Sequence, residues 1–131
     1  MLRHKAYKYR IYPSQEQMDL INQTIGSCRF VFNYFLAKWK DTYEQTGKGL
    51  SYNTCSSELP ALKKTFEWLK SVDSIAVQTS VRHLADAYDR FFKKQNDQPR
   101  FKSKRNKAQS YTTKYTNGNI EMADNLLKLP K

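Results

Sequence analysis

The sequence predicts an α+β fold: a small β unit interrupted by about four helices. Three observations carry this reading. Residues 2–12 alternate aromatic or aliphatic side chains with cations and end at Pro13, the pattern of a strand. The middle of the chain, from Ser14 to Gln95, repeats apolar residues at helical spacing. From Ser110 onward the composition turns to Thr and Tyr, followed by Asn117-Gly118, a strong hairpin signal.

In the first segment Tyr7, Tyr9 and Ile11 fall on one face of the expected strand and Lys8 and Arg10 on the other. Ser14 with Gln17 three residues on forms a capping box, which opens a helix carrying Met18, Ile21, Ile25 and Cys28. Gly26 is expected to separate it from a second helix, about 29–46, with Phe30, Val31, Tyr34, Phe35 and Trp39 on its apolar stripe. Gly47 and Gly49 stop that helix. Ser51 caps a short helix that is expected to break at Leu59, because Pro60 disfavours helical angles in the residue before it. Phe66, Trp68 and Leu69 form an apolar knot. The longest helix is expected over Ser74 to Gln95 behind an Asp73 cap, with Val77, Val81, Leu84, Tyr88 and Phe91 as its seam. SYTTKY, residues 119–122 and Leu126 to Leu129 are the remaining strand candidates, with Asp124-Asn125 as a further turn.

Charge is distributed unevenly. The chain has 131 residues and a net charge of +11, from 23 Lys and Arg against 12 Asp and Glu. Residues 1–15 hold Arg3, Lys5, Lys8 and Arg10 and no acid; residues 98–120 hold Arg100, Lys102, Lys104, Arg105, Lys107 and Lys114 and no acid. These ten cations are interleaved with Tyr7, Tyr9, Tyr12, Phe101, Tyr111 and Tyr115. Cations hold phosphates and aromatic faces stack on unpaired bases, so the pairing suits nucleic acid better than an acidic protein. If the end strands pair, the two basic stretches become one electropositive surface.

Other classes are excluded or left without support. No window approaches the roughly 18 apolar residues of a membrane span. MLRHKAYKYR has no apolar signal-peptide segment, and Cys28 and Cys55 form no disulfide framework. A cytoplasmic, nucleoid-associated protein is the expectation. His4, His83, Cys28 and Cys55 share no ligand spacing, and Cys28 reads as a core residue. Asp86 and Asp89 read as a solvated, salt-bridging face, and no P-loop is present. Tyr52, Asn53, Thr54, Ser56 and Ser57 crowd hydroxyls and an amide into one short helix. Such groups contact phosphates and base edges, although they also cap and solvate helix starts; Gln78 has the same double reading.

Together, KAYKYRIYPSQEQ, INQTIGSCRFVFNYFLA, GKGLSYNTCSSEL, PRFKSKR, YTTKYTNGNIEM and LLKLPK resemble the N-terminal region of the TnpB (OrfB) family of insertion sequences, over essentially the whole chain. The resemblance implies an antiparallel, barrel-like wedge interrupted by a helical recognition lobe, in a region with the older label helix-turn-helix. Residues 1–13 would be the first wedge strand, 14–97 the lobe, and 98–131 the basic segment and remaining strands. Full-length members are RNA-guided DNA endonucleases, so the implied partners are double-stranded DNA and guide RNA, with no membrane and no small-molecule substrate. The family's motif-reading positions match Tyr52, Asn53, Ser56, Ser74, Gln78, Thr116 and Asn117. Ser74 stands where a relative has Lys, which implies a different preferred motif. Backbone-gripping positions match Arg100, Lys102, Lys104 and Arg105, and Arg3, Lys5, Lys8, Arg10 and Lys107 are assigned to phosphates by their charge. The sequence reaches Lys131 without a RuvC acidic triad or a four-Cys finger. The expectation is therefore a binding chain without nuclease activity and without cofactor, the family's Mg and Zn sites lying in C-terminal domains. The rival readings are a stand-alone DNA-binding repressor, a helical module docking on an acidic protein, and an inert remnant.

Overall fold

In order along the chain come α1 (Gln15–Thr46), α2 (Tyr52–Thr65), a 3-10 turn (Glu67–Ser71), α3 (Ser74–Phe92), β1 (Glu121–Ala123) and β2 (Leu126–Lys128). This computed structural model describes residues 2–106, 109–123 and 126–130. The expected turn at Asp124-Asn125 lies outside them.

The helix starts follow from local chemistry. Ser14 accepts from the Gln17 N–H while the Gln17 side chain accepts from the Ser14 N–H, so both arms of the capping box are present. Ser51 Oγ accepts from Thr54 N–H at 3.2 Å, and Asp73 Oδ1 from Ile75 N–H at 3.0 Å. Gly47, at φ 72°, ends α1 in the left-handed conformation that a glycine adopts without steric cost.

Two expected breaks do not occur. α1 runs through Gly26 for 32 residues and is the longest helix among the described residues. One interior glycine costs about 1 kcal/mol relative to alanine. The buried flanking residues Thr24, Ser27, Cys28 and Val31 offset it by packing against the rest of the core. α2 likewise runs through Pro60. Leu59 and Leu62 on either side are both buried, so keeping the helical register retains two core leucines, while the Pro60 ring faces outward. α3 ends at Phe92 and not at Gln95, because Lys94 turns into the left-handed region at φ 59°.

α1 packs along α3, and α2 packs against α3 and the 3-10 turn. Their shared core contains Val31, Phe35 and Leu36 of α1, Cys55, Leu59 and Leu62 of α2, Leu69 and Val72, and Val77, Val81 and Leu84 of α3. Trp39 and Tyr88 stack at 4.5 Å with ring planes 9° apart. Ser80 Oγ donates to the Cys28 carbonyl at 2.7 Å, a buried tie between α3 and α1. Burial pushes the Cys28 thiol up to about 12, helped by the Asp73 carboxylate, and the Cys55 thiol to about 11.

The β part differs from expectation. Residues 2–12 form no strand; Tyr7, Tyr9 and Tyr12 are exposed, and alternation alone cannot make a strand without an edge to pair with. SYTTKY is not a strand either. Asn117 and Gly118 take positive φ as the hairpin signal requires, but they turn an irregular segment, closed by Asn119 N–H to the Thr116 carbonyl at 3.2 Å. The sheet among the described residues is one antiparallel pair, β1 with β2, in the register Glu121↔Lys128, Met122↔Leu127, Ala123↔Leu126. The fold is α+β, but among the described residues this open pair is no barrel, and the helical part has three α-helices where about four were expected. The N-terminal stretch pairs with no C-terminal strand among the described residues, so sheet pairing does not join the two basic segments.

Candidate nucleic-acid interface

Three basic surfaces emerge. The first lies between α2 and α3. Tyr52 and Ser56 are one turn apart on α2, and Ser74, Gln78 and Arg82 recur every fourth residue on the exposed side of α3. The Arg82 guanidinium sits 3.9 Å from the centre of the Tyr52 ring. One turn along, Ser56 and Gln78 line the same groove of about 380 Å³, together with Leu59, Pro60, Lys63, Lys64 and Lys70. Pro60 has no N–H, so the Ser56 carbonyl lacks its usual helical donor at the wall of this groove. The structure thus gathers Tyr52, Ser56 and Gln78, with Asn53 exposed on the adjoining turn of α2 and Ser74 exposed at the start of α3. Thr116 and Asn117 stand apart in the 116–119 turn, where Asn119 holds the backbone of Thr116 and Lys114.

The second surface is the basic segment from Pro99 to Asn106, strapped onto α1. Asn33 is its hook: its side-chain amide donates to the Lys102 carbonyl at 2.9 Å and accepts from the Lys102 N–H at 2.7 Å. Lys102 Nζ lies 4.7 Å from the centre of the Phe32 ring, and Lys40 Nζ lies 4.7 Å from that of Phe101. Arg29 reaches Gln109 at 3.3 Å, and Pro99 is buried. Further on, Tyr111 packs against the core and Thr113 donates to Asp73 Oδ2, so the α3 cap also anchors the segment after the strap. The strap leaves Arg100, Lys104 and Arg105 exposed. Lys107 lies outside the described residues.

The third is the arm carrying Arg3, Lys5, Lys8 and Arg10, all exposed, with Tyr7 stacked beside Tyr9 and Arg10 over Tyr12. Among the described residues only two ion pairs form, Lys38–Glu58 at 2.6 Å and Lys93–Asp89 at 3.1 Å. No group of three or more His, Cys, Asp or Glu among the described residues comes together to hold a metal ion. No helix among them is long and apolar enough to cross a membrane.

Residue reasoning missed Asn33, Arg82 and the three groove lysines. Asn33 is a lone polar residue in an apolar stripe, a weak signal. The lysines sit in the middle of the chain, where acids nearly balance bases in sequence. In the fold Glu58 turns to Lys38 on α1, and no acidic residue lines the groove.

Comparison with known proteins agrees with the residue pattern. A helix-turn-helix domain model of the OrfB type found in IS605 elements matches residues 1–48. A protein of Streptomyces pristinaespiralis, provisionally named an RNA-guided DNA endonuclease, is 34% identical over 91% of this chain and 31% of its own length. InsQ of Escherichia coli K12, with the same provisional name, is 33% identical over 100% of this chain and 33% of its own. Virulence protein VsdF of Salmonella dublin is 34% identical over 67% of this chain and 82% of its own. The chain belongs to the TnpB/OrfB family. It corresponds to the N-terminal region, spanning about a third of the length of the two endonuclease-named relatives. Within the stretch matched by the helix-turn-helix model, the family fold here supplies an extended arm and one unbroken helix; the next helix, α2, begins at Tyr52.

Proposed function

We propose that the chain is the nucleic-acid-binding front of a TnpB-like RNA-guided DNA endonuclease, which grips guide RNA and its DNA heteroduplex and reads a short motif in the adjoining duplex. The observation that carries this is the convergence of Ser56 from α2 and Gln78 from α3 on one lysine-rimmed groove, one turn from the Arg82–Tyr52 stack. Neutral hydrogen-bonding side chains on rigid helices discriminate bases, whereas cations hold the backbone without reading it. Tyr52, Asn53, Ser56, Ser74 and Gln78 are the reading set on the helices, and Thr116 and Asn117 join it in this reading although they stand in a separate turn. The strap cations Arg100, Lys104 and Arg105 and the arm cations hold phosphate, and the heteroduplex is gripped through its shape and backbone. Cleavage and metal chemistry belong, in this reading, to parts of the longer relatives that this chain does not match.

Selection from a random duplex library by the full chain tests the reading. We expect one short motif to be enriched, and Tyr52→Ala with Ser56→Ala to flatten that enrichment while affinity for unrelated duplexes stays within about threefold. Equal losses on all sequences would remove the reading role. Sequencing the nucleic acid that co-purifies with the protein checks the RNA part. A second reading, a stand-alone DNA-binding protein, draws support from VsdF, most of whose length this chain matches. It predicts motif selection that is indifferent to added RNA.

A further inference from the structure

We propose that Lys63, Lys64 and Lys70 form a phosphate-gripping row for one strand of duplex DNA, set beside the Ser56–Gln78 pair. The inference rests on the motif-reading role proposed above and adds the residues that hold the strand in register.

The observations are geometric and electrostatic. All three lysines line the groove that also contains Ser56 and Gln78, and no acidic residue lines it. Lys63 and Lys64 come from the last turn of α2, and Lys70 comes from the 3-10 turn packed against it. Two different elements therefore aim cations at one concavity. Lys63 and Lys64 make no ion pair among the described residues, the two carboxylates that do pair being Glu58 and Asp89. Leu59 and the Pro60 ring supply the apolar part of the lining. The groove thus has a cationic rim and a neutral hydrogen-bonding wall. Phosphate contacts position a duplex and base contacts specify it, so one concavity holds both halves of a reading site. Lysine is depleted at protein–protein interfaces, so a groove lined by three lysines suits a polyanion better than a folded protein. Two of the lysines also sit at a helix C-terminus, where cations favour the macrodipole, a structural role the experiment must separate.

The experiment measures duplex affinity of the full chain by fluorescence anisotropy from about 50 to 200 mM salt. It compares wild type with the combined variant Lys63→Gln, Lys64→Gln, Lys70→Gln and with Lys63→Arg, Lys64→Arg, Lys70→Arg. Each phosphate contact contributes about 0.9 to the slope of log affinity against log salt. Three lost contacts make the Gln variant's slope shallower by about 2.7, so its affinity deficit shrinks about 40-fold across that range. Its preference for the selected motif over a scrambled duplex stays within about twofold. The Arg variant restores the slope, and it also keeps the macrodipole charge. A Gln variant that stays folded by circular dichroism with the wild-type slope overturns the proposal while leaving the motif-reading role standing. A slope change seen with single-stranded RNA but not with duplex overturns the choice of occupant. Wild-type protein that binds no duplex at any salt overturns both proposals.

Discussion

Asn33→Ala tests whether a single amide holds the basic strap on α1. The substitution removes two hydrogen bonds to the Lys102 backbone, at 2.9 and 2.7 Å. A net hydrogen bond contributes roughly 1 kcal/mol, and an orphaned buried partner would add more. Lys102 is exposed, so water replaces the lost amide and the larger penalty does not apply. The cost is therefore about 1–2 kcal/mol on strap opening, a rise of roughly 5- to 30-fold in the open population. Release is not complete, because buried Pro99, the Lys102–Phe32 and Lys40–Phe101 contacts and the Arg29–Gln109 bond remain. Amide hydrogen exchange is the assay. The Lys102 amide should exchange about 5 to 30 times faster, and amides of α3 such as Val81 and Leu84 should be little changed. Asn33→Asp keeps the acceptor and loses the donor, and should fall between. Unchanged protection at Lys102, or an equal loss throughout the core, would refute the hook.

Gly49→Ala should destabilise the fold. A Cβ there would lie 2.3 Å from Trp39 Nε1, and the indole is fixed by its stack on Tyr88. Overpacking of this kind costs about 1–3 kcal/mol, readable as a lower Tm and an altered near-ultraviolet circular dichroism signal. The thiols supply a pH prediction. Both cysteines are held neutral in the fold, with ionisation raised from 9.0 to about 12 at Cys28 and to about 11 at Cys55. Their contribution is fully present below pH 9.0 and is lost as pH rises toward those values, since the unfolded chain ionises first. Urea midpoints should fall above pH 9, and Cys28→Ala, compared with its own midpoint at pH 8, should fall less steeply. Alkylation at pH 8 should be slow for both until the protein unfolds.

Much of the candidate site was legible as chemistry and illegible as geometry. Polar residues on the Ser51-capped helix and Gln78 stand out in the sequence because each could hydrogen-bond a base. Their meeting at one groove depends on the packing of α2 against α3, which no local signal announces. Asn33 and Lys102 are 69 residues apart, and nothing within a short window of either announces the pair.

Sequence by itself determined what short-range hydrogen bonding and sterics decide. That includes the capping box at Ser14, the caps at Ser51 and Asp73, the left-handed Asn117-Gly118 turn and the apolar seam of α3. It also determined the excess of cations and the family. The tertiary structure decided wherever a local preference of a few kcal/mol met a larger burial. Gly26 and Pro60 stay helical because the residues beside them are buried in the common core. The alternation in residues 2–12 has no such support, since no edge among the described residues pairs with it, and it stays an exposed arm. Folding also brings Glu58 of α2 to Lys38 of α1, because each helix sends sequence neighbours to different faces.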